Sequence, residues 1–486
     1  MLIGLSPRRR FAVISIFSFV VLLALFSRTE MGVTALDTVK EKLPLPPMRS
    51  GQGQGKEEKE KEKEKPRPHP KYKPLPSDNS GYVPPPVREP FPLLANSDAS
   101  TLPPPIPEWN RPRPNLHTEY GLSTPPPLLI GFTRSWPILL QAVVSYITAG
   151  WPAEQIYVVE NTGVQQANTR GQLTLQHPFY LNHTTLRRLG VNVVQTPVLL
   201  TFAQLQNFYL SLTYARGWSY YFWSHMDVLT LSYEEGLDGV TPPYSDKGVN
   251  GKAGSGYKTV YELCCQALQG TLLDDPHWGL RFFAYDHLAL VNPAAYEAVG
   301  GWDTLIPYYM TDCDMHARLA MANWTIEDRR AGIVTDVNTV LADLAVLYRV
   351  DGLPDPDFVD PNPRPQTEEE KKIHGRDDAA AAANNNLPPA PPVDSRLDQW
   401  RKLRTVSDRM FQYKHGDRER NTWQAGQKGG QGEKFYYPAQ GIAEGIDVLT
   451  EAGREVYRRK WGHRDCDLVD GAGLSLWDQW LVEKDW

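Results

Sequence analysis

From Leu128 onward apolar residues recur at two spacings. "LLIGFT" is a short apolar run of the kind that fills a buried strand; Leu139, Leu140, Val143, Val144 and Ile147 then follow at helical spacing until Gly150 ends the pattern. "QIYVVENTG" predicts a second strand that closes in polar residues, and "VNVVQTPVLL" a third. "FAQLQNFYLSLTYARGW" reads as an amphipathic helix and "YYFWSHMDV" as a fourth strand. Strands alternating with helices predict an α/β domain with parallel pairing and right-handed crossovers. Ligands of such sheets bind beyond the carboxyl ends of the strands, where Thr133, Arg134, Glu160, Asn161, His225 and Asp227 gather.

One interruption stands out. In "YYFWSHMDVLTLS" the apolar run should continue into Val228, Leu229 and Leu231, yet His225 and Asp227 break it. A buried carboxylate is costly without a partner. Two partners answer: a bound cation, or a neighbouring group at the strand end, with His225 and Asp227 satisfying each other.

On either side the pattern changes character. Arg8-Arg9-Arg10 precede the charge-free run Phe11 to Phe26, about 16 residues against the roughly 17–25 of a membrane span. The flanking charges predict an uncleaved signal anchor with a cytoplasmic N-terminus; a cleavable signal ending near Val33-Thr34-Ala35 is the alternative. A short span suits the thin membranes of the Golgi or endoplasmic reticulum. Next come the charge run "GKEEKEKEKEKPRPHPKYKPLP" and proline-rich tracts to Pro127, which favour an extended path and predict a semi-rigid stem or, alternatively, a dock for proline-recognition modules. A second low-complexity stretch, 351–395, reads as an insertion.

Composition narrows the partners. A net charge of −6 argues against nucleic acid. Asn182-His183-Thr184 and Asn323-Trp324-Thr325 are glycosylation sequons, usable only in the secretory path. Four cysteines, Cys264, Cys265, Cys313 and Cys466, allow one or two disulfides with the pairing open, and no spacing is that of a zinc site.

"LIGFTRSWPILLQAVVSYITAGWPAEQIYVVENTG" resembles the opening of family-2-type glycosyltransferases of the GT-A fold, and "NPAAYEAVGGWDTLIPYYMTDCDMHARL" is similar to that family's acceptor-side segment. "WSHMDV" falls between them, where the family keeps its Asp-x-Asp; the resemblance covers roughly 125–349. It implies a nucleotide-diphospho-sugar transferase, Rossmann-like, in a lumenal domain. Asp227, with His225 in the first Asp position, would hold Mn²⁺ or Mg²⁺ against the donor's phosphates, since hard cations take oxygen ligands. Glu160, Thr133 and Arg134 would contact the nucleoside, and Asn207 stands where the family often places a donor contact. Asp312 would be the general base for the acceptor hydroxyl, with Asp314 the competing assignment, because Thr311 replaces the family's usual Glu; alternatively Asp314 caps the following helix or holds its neighbours, or both acids simply suit a helix start. Trp302 would stack on the acceptor sugar and Asp303 bind its hydroxyls; core packing explains Trp302 equally. Arg454, Arg458, Arg459, Lys460 and Arg464 around Trp461 read either as a clasp on the diphosphate, with His463 a late metal ligand, or as a solvated basic helix face.

The expected organisation is therefore a cytoplasmic tail at 1–10, the signal anchor at 11–27, the stem at 28–124, the GT-A catalytic domain at 125–350, the insertion at 351–395 and a C-terminal extension of the domain at 396–486. The expected activity is transfer of a hexosyl or N-acetylhexosaminyl group from a nucleotide-sugar to a glycan, glycoprotein or glycolipid hydroxyl. Resemblance implies inversion, with retention open. Two other readings compete: a silent glycan-binding scaffold, suggested by His225 and Thr311, and a membrane-tethered adaptor working through the stem.

Overall fold

The computed structural model describes residues 87–95, 102–237, 240–243, 256–350, 352–361, 395–416 and 429–481, all within one compact unit. The expected tail and anchor lie outside these residues, as do most of the stem and 362–394. Among the described residues no helix is long and apolar enough to cross a membrane.

The apolar runs become strands where expected: β1 Leu128–Phe132, β2 Ile156–Glu160, β3 Asn192–Gln195 and β4 Tyr221–Ser224. Between β1 and β2 runs α1, Trp136–Thr148, with Pro137 pre-setting its first turn and every residue buried. Helix α2, Phe202–Arg216, links β3 to β4; it opens with a capping box between Thr201 and Gln204 and closes at Gly217 in the left-handed region. Strand β5, Val228–Leu231, follows β4 after three residues.

Further strands β6 Trp278–Phe282, β7 Leu288–Val291 and β8 Thr325–Asp328 complete a seven-stranded sheet of order β3-β2-β1-β4-β7-β6-β8. Pairing is parallel from β3 through β4 and between β6 and β8, whereas β7 runs against both neighbours. The expectation of parallel pairing thus holds for the first half only; β6 and β7 form a hairpin, which needs no crossover helix. The order β3-β2-β1-β4 is Rossmann-like, with its switch point between β1 and β4.

Alternate side chains of these strands feed two cores, as the pleat requires. Leu128, Ile130, Phe132 and Phe222 face α1 and helix α3, Val260–Asp274; Leu129, Val159, Tyr221 and Trp223 face α2, α4 (Pro293–Ala298) and α5 (Thr311–Met321). The result is a mixed α/β fold with a mostly parallel central sheet between helical layers.

Three segments depart from expectation. The chain after Ser224 does not continue as one strand: β5 leaves the main sheet and pairs antiparallel with β9, Ile333–Asp336. The last part of the expected stem joins the folded unit, burying Phe91, Leu94, Trp109, Leu116 and Leu122. Prolines remove backbone donors but leave neighbouring apolar side chains free to pack, each gaining about 1.5–3 kcal/mol. The insertion contributes β11, Phe358–Val359, paired to β10, Val340–Leu341.

The expected extension holds two long helices. Helix α6, Ser395–His415, sends Trp400, Leu403, Val406, Ser407, Met410 and Lys414 inward at three- and four-residue steps. Helix α7, Ala439–Trp461, packs Tyr457 and Trp461 against Ile306 and Ala317, and a disulfide joins Cys313 of α5 to Cys466. Cys264 and Cys265 stay reduced and buried, and burial pushes the Cys265 thiol up to about 12.

Candidate functional site

The break between β4 and β5 is where polar groups converge. Strand register explains why. Ser224 pairs with Leu288, so the carbonyl of His287 accepts from His225 N–H at 3.1 Å and Ser224 Oγ at 2.8 Å. Val228 pairs with Asp336, so Asp336 at the end of β9 lies beside Asp227, whose carbonyl accepts from Val337 N–H at 2.9 Å. Helix α6 crosses β9, fixed by a 2.7 Å bond between Ser407 and Thr335, and brings Lys414 and His415 one turn-pair later to the same place.

Lys414 is the centre. Its Nζ donates to Asp227 Oδ2 at 2.8 Å, Asp336 Oδ1 at 2.5 Å and the Val337 carbonyl at 3.3 Å, and its side chain is 3% exposed. His415 Nε2 lies 2.8 Å from Asp336 Oδ2 and His287 Nε2 3.3 Å from Asp336 Oδ1. His225 sits between two carboxylates, Nδ1 at 3.5 Å from Asp227 and Nε2 at 3.6 Å from Asp286, with 30% of its side chain exposed. Burial opposes its charge, but hydrogen bonding and attraction to Asp227 and Asp286 win and push it up to about 10, so the ring is an imidazolium at neutral pH. Burial likewise opposes the Asp227 carboxylate, and Lys414 and His225 overcome it, holding its pKa well below the usual range.

This answers the question that the broken strand poses: the partner of Asp227 is a side chain, Lys414. The expected metal role of Asp227 and His225 meets a mismatch here. A divalent cation wants several oxygen ligands at about 2.0–2.6 Å; Asp227 Oδ2 and both oxygens of Asp336 are engaged, and the space between them is filled by an ammonium. The donor set does not fit Mn²⁺ or Mg²⁺. Among the described residues one other trio, His463, Asp465 and Asp467, brings ligand atoms within 4.8 Å of one another, on an exposed loop where His463 pairs with Asp467 at 2.6 Å.

Asp312 faces the same cluster. Tyr285, one residue before Asp286, approaches Asp312 Oδ2 at 3.5 Å, and His316, one turn along α5, interacts with both Asp312 and Asp286. Asp312 is half-buried, whereas Asp314 is fully buried and engaged: Arg318 Nε at 2.8 Å, Lys460 at 2.7 Å and Trp461 Nε1 at 2.9 Å surround it. Asp314 thus takes the second of its expected roles, holding its neighbours and anchoring α5 on α7, and does not face the cluster. Just beyond β1, Thr133 is half-buried and Arg134 buried, its pKa lowered to about 10 by burial beside Tyr308.

Other expected contacts serve the fold. Glu160 is fully buried and accepts from Asn168 and Gln195 at 2.8 Å and Thr162 at 3.2 Å, with His183 at 2.9 Å, leaving the carboxylate no open side for a nucleoside. Asn161 is likewise spent on the backbone of Leu200. Trp302 is 3% exposed and packs against Phe202, Tyr296 and His316, so it offers no face to a sugar. Asp303 binds Lys460 at 2.8 Å and caps Leu305. Asn207 clamps the backbone of Trp302 through both amide atoms at 2.8 Å. The basic cluster is paired internally: Arg458 and Arg459 with Glu455, Arg454 with Glu451. Asn323 is exposed on a left-handed turn, while Asn182 caps the helix at His183–Arg188.

Asp286, His287, Asp336, Lys414 and His415 were not singled out in the sequence. The signals are present: "FFAYDHLALV" and "GIVTDV" each break an apolar run with an acid, as "WSHMDV" does, and Lys414 occupies an apolar position of the α6 stripe. Two cavities, of about 190 and 550 Å³, lie elsewhere and are lined by none of these residues.

No protein-family model and no curated protein matches the chain. Among solved structures, a mannosyltransferase from Pyrobaculum calidifontis in complex with GDP-Man and Mn²⁺ aligns with 12% identity and a TM-score of 0.28, over 74% of this chain and 85% of that chain. A cytidylyltransferase from Leptospira borgpetersenii serovar Hardjo-bovis aligns with 8% identity and a TM-score of 0.28, over 55% of this chain and 100% of that chain. At scores this low, the functional reading rests on the strand order and side chains of the chain itself.

Proposed function

We propose that this chain is a glycosyltransferase of the GT-A kind, moving a sugar from a nucleoside-diphosphate donor to an acceptor hydroxyl. One observation carries the reading: beyond the carboxyl end of β4, beside β7, a chain of contacts joins the imidazolium of His225 to the carboxylate of Asp312, from His225 to Asp286 at 3.6 Å and from Tyr285 to Asp312 at 3.5 Å, with His316 interacting with both acids. A protonated ring suits a diphosphate, and a half-buried carboxylate suits an acceptor hydroxyl.

In the proposed step, the acceptor oxygen bonds to the anomeric carbon as the bond from that carbon to the phosphate oxygen breaks. The hydroxyl proton passes to Asp312, and the bonding pair leaves with the nucleoside diphosphate, whose new charge His225 offsets. Direct displacement inverts the anomeric centre. The Mn²⁺ or Mg²⁺ that the sequence resemblance implies has no fitting ligand set at Asp227 and His225, and no step uses it. A secretory-path location, Golgi or endoplasmic reticulum, is part of the proposal; the exposed Asn323 sequon and the Cys313–Cys466 bond support it.

The test is calorimetric titration with UDP- and GDP-sugars, alongside transfer assays on a panel of glycan acceptors. Binding of one donor, weakened at least tenfold by His225→Ala, together with transfer lost in Asp312→Asn, is the expected result. Binding without transfer to any acceptor favours the silent scaffold; no binding ends the transferase reading.

A further inference from the structure

We propose that Lys414 is the resident cation of this site: it occupies the position between Asp227 and Asp336, keeps both carboxylates from binding a divalent metal, and leaves His225 to meet the donor diphosphate, so that donor binding requires no metal. This rests on the transferase reading of the same site and specifies how its charge is supplied.

Four observations carry it. An ammonium has three donors and no acceptor, and Lys414 has three acceptors around it, two carboxylates and one carbonyl. Its placement is built in rather than incidental, because Lys414 continues the inward stripe Leu403, Ser407, Met410 of a 21-residue helix and is as buried as its apolar neighbours. The surrounding acceptors have other calls on them: Asp336 also holds His415 and His287, and Asp227 also faces His225. Finally, a positive charge already stands between the two carboxylates: the buried ammonium lies 2.8 Å from Asp227 and 2.5 Å from Asp336. A divalent ion entering between the carboxylates would have to expel a buried ammonium and leave it without partners, an uncompensated charge of the kind protein interiors rarely keep.

The inference separates Lys414 from a residue that merely braces α6, because its removal should create a property the protein lacks. Lys414→Gln uncovers two adjacent carboxylates, a hard-oxygen site for Mn²⁺. With the full chain, Mn²⁺ binding is followed by the electron paramagnetic resonance of the free ion, and UDP and GDP binding by calorimetry in EDTA and in Mn²⁺. Expected are no Mn²⁺ binding near the cluster at millimolar ion in the unaltered protein, nucleotide affinity equal within twofold in EDTA and Mn²⁺, and a gain of at least tenfold in Mn²⁺ affinity in Lys414→Gln. That gain should disappear when Asp227→Asn is added; a signal that survives Asp227→Asn belongs to the His463 loop.

Nucleotide binding that falls tenfold or more in EDTA, or Mn²⁺ binding by the unaltered protein that Asp227→Asn removes, overturns the proposal. If Lys414→Gln does not fold, these two measurements on the unaltered chain and on Asp227→Asn still decide it. If neither nucleotide binds under any condition, the transferase reading fails, while the Mn²⁺ titrations continue to judge Lys414 by themselves.

Discussion

Two acids two residues apart, Asp312 and Asp314, have opposite fates that their sequence neighbourhood does not reveal. Helical rotation turns Asp314 into the seam with α7 and leaves Asp312 toward the cluster. Asp314→Asn therefore leaves Arg318 buried opposite a neutral group, while Lys460 keeps Asp303, and should cost about 3–5 kcal/mol in urea unfolding. Asp312→Asn should alter stability by less than about 0.5 kcal/mol and lower transfer by about 10²–10⁴-fold; the reverse pattern would exchange their roles. Glu160 gives a pH prediction. Burial opposes its charge, but its hydrogen bonds with His183, Gln195 and Asn168 outweigh that and lower its pKa. A depressed carboxylate contributes stability above its unfolded pKa, about 4.3, which is lost as pH falls through the folded value. The stability gap between the unaltered protein and Glu160→Gln should shrink over that acid range, and parallel pH curves for the two would refute this. Residue types at strand ends were legible in the sequence; which of them join the half-open cluster beyond β4 was not, because Glu160 and His225 both read as polar strand ends and only distant partners distinguish them.

At the scale of elements, periodicity made β1, α1, β2, α2 and β4 legible, since their burial follows spacing alone. The exit of β5 into a second sheet was visible only as an interruption. The placement of α6 was hidden, because nothing local says which groove a helix will enter. One junction between elements can be probed directly. Gly301 has φ +71°, and a Cβ there would lie 2.9 Å from Asn207 Oδ1 on α2. Gly301→Ala should cost on the order of 1–3 kcal/mol. Adding Asn207→Ala removes the steric share but not the backbone share, so a double-mutant cycle should show a coupling of roughly 0.5–3 kcal/mol; strict additivity would place the strain elsewhere.

For the whole molecule, composition marked the proline-rich stretch as unable to form a core, yet its last part completes one. Phe91, Leu94, Leu116 and Leu122 fill the layer beside α1. A fragment beginning at residue 87 should unfold cooperatively, whereas one beginning at 125 should unfold at markedly lower urea, each lost side chain removing about 1.5–3 kcal/mol; equal midpoints would return these residues to the stem. The disulfide has a consequence for the order of synthesis. Cys466 is made 153 residues after Cys313, roughly 8–30 s later at 5–20 residues per second. Helix α5 carries Asp312 but cannot be covalently tied until then, and Lys414, too, is made long after Asp227. The central sheet can therefore form on the ribosome well before the cluster it supports is complete, and a nascent chain stalled between Asp336 and Lys414 would hold two adjacent carboxylates faced by His225 and His287 alone, without the ammonium between them.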